Sequence, residues 1–174
     1  AFAPGGPFGL CMLFDAVSHA AVSINEALPL RGWLLLNLAE LCAATWRCGP
    51  AGALAAAVLA QSLLFAALHL GSPGASRVGL ANLVVGGAAA AANVLVSGGL
   101  GFSLGWHWGW NIAMGNVFGM STSGIPISAT VLAVAPHPAK VAQHGGTFGP
   151  EQSFVATAAY VLGVLVLLAI YGLD

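Results

Sequence analysis

Long uncharged stretches constrain this chain more than any other feature of its sequence. Residues 153–172, SFVATAAYVLGVLVLLAIYG, contain no charged side chain. Residues 51–70, AGALAAAVLAQSLLFAALHL, contain one histidine and no Asp, Glu, Lys or Arg. About 20 consecutive apolar residues in a helix cross the roughly 30 Å hydrocarbon core of a bilayer. The sequence therefore predicts membrane-spanning helices.

The overall composition supports the same interpretation. Hydrophobic residues make up 59% of the chain and charged residues 5%, with a mean hydropathy of +0.92. A typical soluble domain has about 25% charged residues, so this chain cannot cover a water-exposed surface. Its net charge of −1 excludes the basic surface that nucleic acid requires. Alternation of period two is missing, and the alanine run 88–92 disfavours strands.

We therefore predict an all-α, polytopic transmembrane bundle of five or six helices around a buried polar active site. Pro29 should kink or restart the helix between the first two spans. Alanine and glycine should let the fourth span pack closely against its neighbours. The predicted spans, or near-spans, are residues 7–24, 26–46, 51–70, 80–97, 103–122 and 153–172.

The chain is interpreted as one domain, 1–174, with a motif-bearing core at 20–122. Residues 123–152 contain four prolines and should form an exposed linker before the outer helix, 153–172. The chain begins without methionine, so we expect further sequence upstream. Four basic residues are too few to predict the orientation in the membrane. The alanine- and glycine-rich composition favours a bacterial cytoplasmic membrane.

Polar side chains inside such helices are the candidates for function, because burying them in lipid costs several kcal/mol unless they find partners. His107 and Asn111 are four residues apart and project from the same helical face. The candidates are Glu26, Arg31, His69, His107 and Asn111.

These residue types suit hydrolysis. Glu26 is able to take a proton from water, and His69 to orient that water or protonate a leaving group. His107 and Asn111 are able to donate hydrogen bonds to an oxyanion, and Arg31 to hold a carboxylate. Hydrogen bonding between helices is the structural alternative for the same side chains. The chain has no HExxH motif, which leaves only a looser zinc site open.

Three short segments resemble motifs of a known family. Residues 26–32 (EALPLRG), 65–69 (FAALH) and 107–111 (HWGWN) are similar to the EExxxR-Gly, FxxxH and HxxxN motifs of the CPBP intramembrane proteases. That family includes the CAAX prenyl proteases and the bacteriocin-processing, or Abi, proteins. The motifs occur in the family's order and on apolar helices, and the resemblance covers about residues 20–120.

The resemblance implies an intramembrane endopeptidase that acts on a membrane-associated or lipidated peptide. By resemblance, Glu26 and His69 activate the attacking water, His107 and Asn111 form the oxyanion hole, and Arg31 is the motif arginine. The motifs fit a metal-free glutamate mechanism and a metalloprotease equally. If a divalent metal such as zinc is the cofactor, its ligands would be Glu26, His69 and His107. The expected partners are membrane lipid and a peptide or protein substrate, in an oligomeric state that the sequence does not indicate.

One residue departs from the family pattern. Ala27 stands where the first motif has a second glutamate, so Arg31 is expected to pair with Glu26 or Glu40 instead. Asp15 or Glu40 is a candidate replacement for the missing carboxylate. The departure keeps open a catalytically inactive scaffold or chaperone, and less favourably a small transporter, although no inverted repeat is visible.

Simple alternation of the spans also separates two of the candidates. It places His69 and His107 on opposite sides of the membrane. We therefore expect shifted helix boundaries, or a bent or re-entrant segment within 71–102.

Overall fold

The computed structural model describes residues 6–45 and 49–172, which form helices, turns and irregular segments with no strand beyond an isolated bridge. The predicted all-α fold is confirmed. Seven α-helices follow one another along the described chain: α1 (Phe8–Ala27), α2 (Leu35–Thr45), α3 (Gly49–Ala67), α4 (Arg77–Ser97), α5 (Leu100–Asn111), α6 (Val141–His144) and α7 (Phe154–Tyr171).

Within the described residues, four helical segments are long and apolar enough to cross a membrane. They are Phe8–Thr45, Gly49–Ala67, Arg77–Ser97 and Phe154–Tyr171. The predicted span 103–122 is not among them, because its histidine and asparagines lower its hydropathy. It forms α5 and a following π-helical segment, Ile112–Val117. The described residues therefore form four apolar spans and one more polar helix, α5, which packs against α1 and α4.

The expected restart of the helix at Pro29 is wrong. The helix continues for 38 residues, from Phe8 to Thr45, through a π-helical segment, Leu28–Leu34. Proline lacks an N–H and crowds the carbonyl four residues earlier. The wider π turn, in which the Leu35 N–H donates to the Leu30 carbonyl, accommodates both defects. The predicted end of the second span, residue 46, lies outside the described residues.

Helix α4 is the centre of the bundle, since it packs against α3, α5 and α7. The predicted close packing at its glycines is confirmed. A Cβ added to Gly87 would lie 3.0 Å from the Ser62 Cα on α3. Across the same contact the Gln61 amide donates to the Gly87 carbonyl at 2.9 Å. The approach of these two backbones holds α3, and the residues after its end, against the core.

The segment 123–152 is less exposed than its composition suggests. Residues 131–143 are exposed, but Phe148 and Glu151 are buried. One end is fastened to α1 by Asp15. Its Oδ2 accepts from the N–H groups of Ser128 and Ala129 at 3.1 Å each, and from the Asn116 amide at 2.9 Å. Proline and glycine content does not predict such contacts, because they depend on Asp15, a residue in a distant part of the chain. One carboxylate oxygen accepts several hydrogen bonds there.

The other end of this segment turns sharply at Gly149. Its φ is +113°, and a Cβ there would overlap the Ser121 carbonyl. Nearby, the Gly124 N–H donates to the Phe148 carbonyl at 2.7 Å. This hydrogen bond joins the two ends of the segment. Glu151, two residues after the turn at Gly149, is buried.

Gly149→Ala should destabilise the protein by about 1–3 kcal/mol, because alanine disfavours positive φ and its Cβ would displace the Ser121 backbone. The thermal midpoint of the purified protein in detergent measures the loss. Gly101→Ala is the matched control, since Gly101 is helical and no atom lies within 4 Å of an added Cβ. The control should keep or slightly raise the midpoint. Equal midpoints for the two variants would contradict the constraint at Gly149.

Asp15→Asn should cost roughly 1–3 kcal/mol, since the neutral amide weakens three bonds to one anionic oxygen. The same thermal measurement applies, with Glu40→Gln as the control. Glu40 is exposed on α2, so its change should stay within about 0.5 kcal/mol. A wild-type midpoint for Asp15→Asn would show that Asp15 does not fasten the segment.

Candidate active site

Four of the five predicted site residues line one cavity of about 380 Å³: Glu26, His69, His107 and Asn111. Helices α1 and α5, the turn after α3 and residues 122–128 form its walls. Arg31 lines a smaller adjoining cavity together with His107, which borders both. The sequence motifs, up to 85 positions apart in the chain, therefore meet around a single space.

Glu26 and His107 lie beside each other in the cavity. His107 Nδ1 lies 3.8 Å from Glu26 Oε2, and each side chain is 19% exposed. This distance is too long for a hydrogen bond but suits an electrostatic contact. The buried Glu26 Oε2 has no hydrogen-bond partner, so this carboxylate oxygen is free to accept a proton from a bound molecule.

His69 lies just beyond the end of α3. Its Nδ1 is 2.9 Å from the Phe65 carbonyl. A carbonyl only accepts, so Nδ1 carries a proton, and in the neutral form of the ring the lone pair lies on Nε2. The imidazole also packs edge-on against the Phe65 ring, at 4.9 Å between centroids. Both contacts fix the orientation of His69.

Arg31 does not pair as expected. Among the described residues the recorded ion pair joins His107 to Glu26, and Glu40 is exposed on α2. Arg31 is 2% exposed, with its Cζ 4.6 Å from the centroid of the Phe65 ring. The Glu26 charge acts on it only at longer range. A cation–π contact, which needs no carboxylate, takes the place of the predicted salt bridge.

Several buried polar atoms around the cavity lack partners. An unpaired buried polar group costs about 1–3 kcal/mol, so each one in a folded protein calls for an explanation. A water molecule or a peptide group in the cavity would satisfy them. Those on cavity-lining residues are His19 Nε2, Glu26 Oε2, Asn111 Oδ1 and Thr122 Oγ1.

The expected separation of His69 from His107 does not occur, since both line the same cavity. Residues 71–102 form a turn, α4 and the start of α5, with no re-entrant helix. Helix α5 begins at Leu100 rather than 103, so His107 lies about 10 Å along it. The cavity extends from the turn at Ser72 to this depth. It thereby borders both histidines.

Neither proposed replacement for the missing motif carboxylate takes that place. Asp15 lines the cavity, but its Oδ2 is occupied by three donors. Glu40 does not line the cavity. Asp15, His19 and Ser23 form a buried polar stripe on α1, a helix that packs against α5.

Sequence reasoning missed Glu151 as a site residue. Its side chain is 6% exposed and lines both cavities. Burial raises the pKa of this carboxyl to about 7, against hydrogen bonds from Ser123 that lower it. The signal available in the sequence was the segment Phe148-Gly149-Pro150-Glu151. Its Gly-Pro pair indicates a turn that directs the following side chain.

Metal ligation by the proposed set is not supported by the arrangement of the donors. Within residues 6–45 and 49–172, no three His, Cys, Asp or Glu side chains are grouped as ligands of one ion. Glu26, His69 and His107 border the same space but do not form such a group. The chemistry below is therefore derived from the side chains alone.

Comparison with known proteins identifies the family. No significant match exists among curated proteins or among solved structures. The sequence model of one family, described as type II CAAX prenyl endopeptidase Rce1-like, matches residues 9–113. This range is more than half of the chain and contains all three motifs. The resemblance found in the sequence is confirmed: this integral membrane protein belongs to the type II CAAX prenyl endopeptidase Rce1-like family.

Proposed function

We propose that the protein is an intramembrane endopeptidase that hydrolyses a peptide bond in a membrane-associated or lipidated peptide. The observation that carries this proposal is the meeting of Glu26, His69, His107 and Asn111 at one cavity with unpaired polar atoms. Family membership supports the class of reaction. The side chains supply a base, a second hydrogen-bonding group for water, and donors for an oxyanion.

Glu26 is the general base in this mechanism. A water molecule between Glu26 and the Nε2 of His69 would donate one proton to each acceptor, which directs its oxygen lone pair at the substrate carbonyl. Transfer of a proton to Glu26 then accompanies attack of the hydroxide. A positioned base of this kind typically contributes about 10²–10⁴ in rate.

His107 and Asn111 stabilise the oxyanion that the attack creates. The Asn111 amide offers N–H donors, and His107 donates from Nε2 when its proton is on that atom. In this tautomer Nδ1 faces Glu26 as an acceptor, 3.8 Å away. The carboxyl, once protonated, no longer carries a negative charge that would repel the oxyanion. Proton uptake by Glu26 and oxyanion binding by His107 therefore favour each other.

Arg31 and Phe65 position the site rather than react. Phe65 is 8% exposed and lies under the Arg31 guanidinium, while its carbonyl holds Nδ1 of His69. The hydrogen bond from His69 Nδ1 to the Phe65 carbonyl fixes the tautomer in which His69 offers Nε2 to water. Arg31 needs no carboxylate partner for this role, which makes Ala27 compatible with activity.

The apolar flank of the cavity supports the proposed substrate class. Phe14, Val22 and Leu68 line the cavity and are 45%, 42% and 64% exposed. In a membrane these side chains contact lipid. A peptide with an apolar or lipid-modified flank would lie there, and the protein would act in the cytoplasmic membrane of a bacterial source.

Glu26→Gln should abolish cleavage, with a loss of at least about 100-fold, because an amide cannot accept the proton of water. The measurement compares protein termini in cell membranes that carry wild type or Glu26→Gln at equal expression. Glu40→Gln, a change at an exposed glutamate, is the control and should preserve the wild-type termini. Identical termini in all three membranes, with every variant inserted, would refute the protease and favour a non-catalytic scaffold.

Asn111→Ala should slow accumulation of the same termini by about 10²–10³, the usual effect of removing an oxyanion donor. The time course of each wild-type-dependent terminus gives the rate. His137→Gln, in the exposed part of the linker, is the control and should not alter it. An unchanged rate in Asn111→Ala would remove Asn111 from the oxyanion hole.

A further inference from the structure

Glu151 is a buried carboxyl for which the mechanism above has no use. It belongs to a 3₁₀ turn, Pro150–Gln152, that precedes α7 and lies outside the family-matched residues. Its side chain borders the main cavity with Glu26 and the smaller cavity with Arg31. A titratable group 6% exposed between two cavities has access to the site without free access to bulk water.

One residue holds both oxygens of this carboxyl. The Ser123 N–H donates to Oε2 at 2.5 Å, and its hydroxyl lies 2.9 Å from Oε2 and 3.1 Å from Oε1. Ser123 has a φ of +49°, a conformation that costs a non-glycine residue free energy. The backbone is thus held in an unfavourable conformation while both donors of Ser123 reach Glu151.

Helix α4 holds the backbone of Glu151 as well. Asn82 on α4 donates to the Glu151 carbonyl at 2.5 Å and to the Ser153 carbonyl at 3.0 Å. The turn packs against α4, α6 and α7. The side chain is therefore held toward the cavities by contacts on both its carboxyl and its backbone.

We propose that Glu151 is a second catalytic carboxyl, which delivers the proton to the leaving nitrogen of the substrate. The inference rests on the proposed hydrolysis. It gives the site a second acid although position 27 is alanine. Ser123 is the positioning residue, since the hydrogen bonds that the structure describes for it hold the Glu151 carboxyl.

The proton transfers balance over one turnover. The hydroxide of water bonds to the carbonyl carbon, and its proton passes to Glu26. Glu151 gives its proton to the nitrogen, the C–N bond breaks, and a carboxylic acid and an amine leave. Glu26, now protonated, and Glu151, now ionised, exchange this proton across the shared cavity. Both carboxyls then return to their starting states.

The groups around Glu151 decide its ionisation. Glu26, His69 and His107 face it across the main cavity. Arg31 and, from α7, Tyr160 line the smaller one. Helix α4 presents the neutral Asn82, while His144 of α6 is bonded to the Gly146 N–H.

Burial outweighs the Ser123 hydrogen bonds and, with the charge of Glu26, raises the pKa of Glu151 to about 7. The acid is therefore about half protonated near neutral pH, as an efficient general acid requires. Because the protonated form is active, the rate should fall as the pH rises through about 7.

The test measures wild-type-dependent termini over time in isolated membranes across a pH series. Glu151→Gln keeps an oxygen for the Ser123 donors but has no proton to give, so we expect a loss of about 100-fold or more. Ser123→Ala removes one donor to the carboxylate. It should raise the pKa of Glu151 and move the falling limb of the profile to higher pH, with little change in the rate at low pH. Glu40→Gln should match wild type throughout.

The outcomes separate this inference from the proposed function. If Glu26→Gln is inactive while Glu151→Gln keeps the wild-type rate and profile, the role of Glu151 is refuted and the protease stands. If the wild type yields no termini that depend on Glu26, the protease function and the role of Glu151 are both refuted. If Glu151→Gln fails to insert, the pH–rate profile of Ser123→Ala decides. A falling limb moved to higher pH supports Glu151 as the general acid, and an unmoved limb overturns that role.

Discussion

A bilayer interior offers no hydrogen-bond partners, and the architecture of this protein depends on that constraint. Polar groups in its spans must find partners within the chain, so they converge on one another. The long first helix directs Asp15 at a backbone turn, Glu26 at His107, and Arg31 at an aromatic ring. In the described part of the chain, half of the buried polar atoms left without a partner belong to residues that line the cavity. The same rule that organises the bundle therefore concentrates reactive groups in one place.

The segment between α5 and α7 belongs to the site as much as the motif-bearing helices do. Asn82 donates to two carbonyls at the start of α7 and accepts from the Thr157 hydroxyl. This network ties the last helix and the Glu151 turn to the centre of the bundle. A boundary drawn at the end of the family match, residue 113, would divide the cavity, since residues 122–128 form part of its wall.

The sequence predicted the helical bundle, because span length and apolar composition are local properties. Contacts between distant segments were not predictable in the same way. Arg31 was expected to find a carboxylate, and nothing local indicates that the Phe65 ring, 34 positions later, would lie beneath it. Pro29 was expected to kink or restart the helix, and the helix does not restart but continues through a π turn. Glu151 was assigned to an exposed linker because proline and glycine content does not report burial.

Residues 131–143 remain exposed between two anchored ends. The Asp15 contacts and the Gly149 turn fix where this stretch begins and ends. Residues added between them should therefore have little effect on the helices. The entropy of closing a loop grows only slowly with added residues. An epitope or a small fluorescent domain inserted there would lie on the surface of the protein. It would allow purification by affinity, or detection of the protein in a membrane.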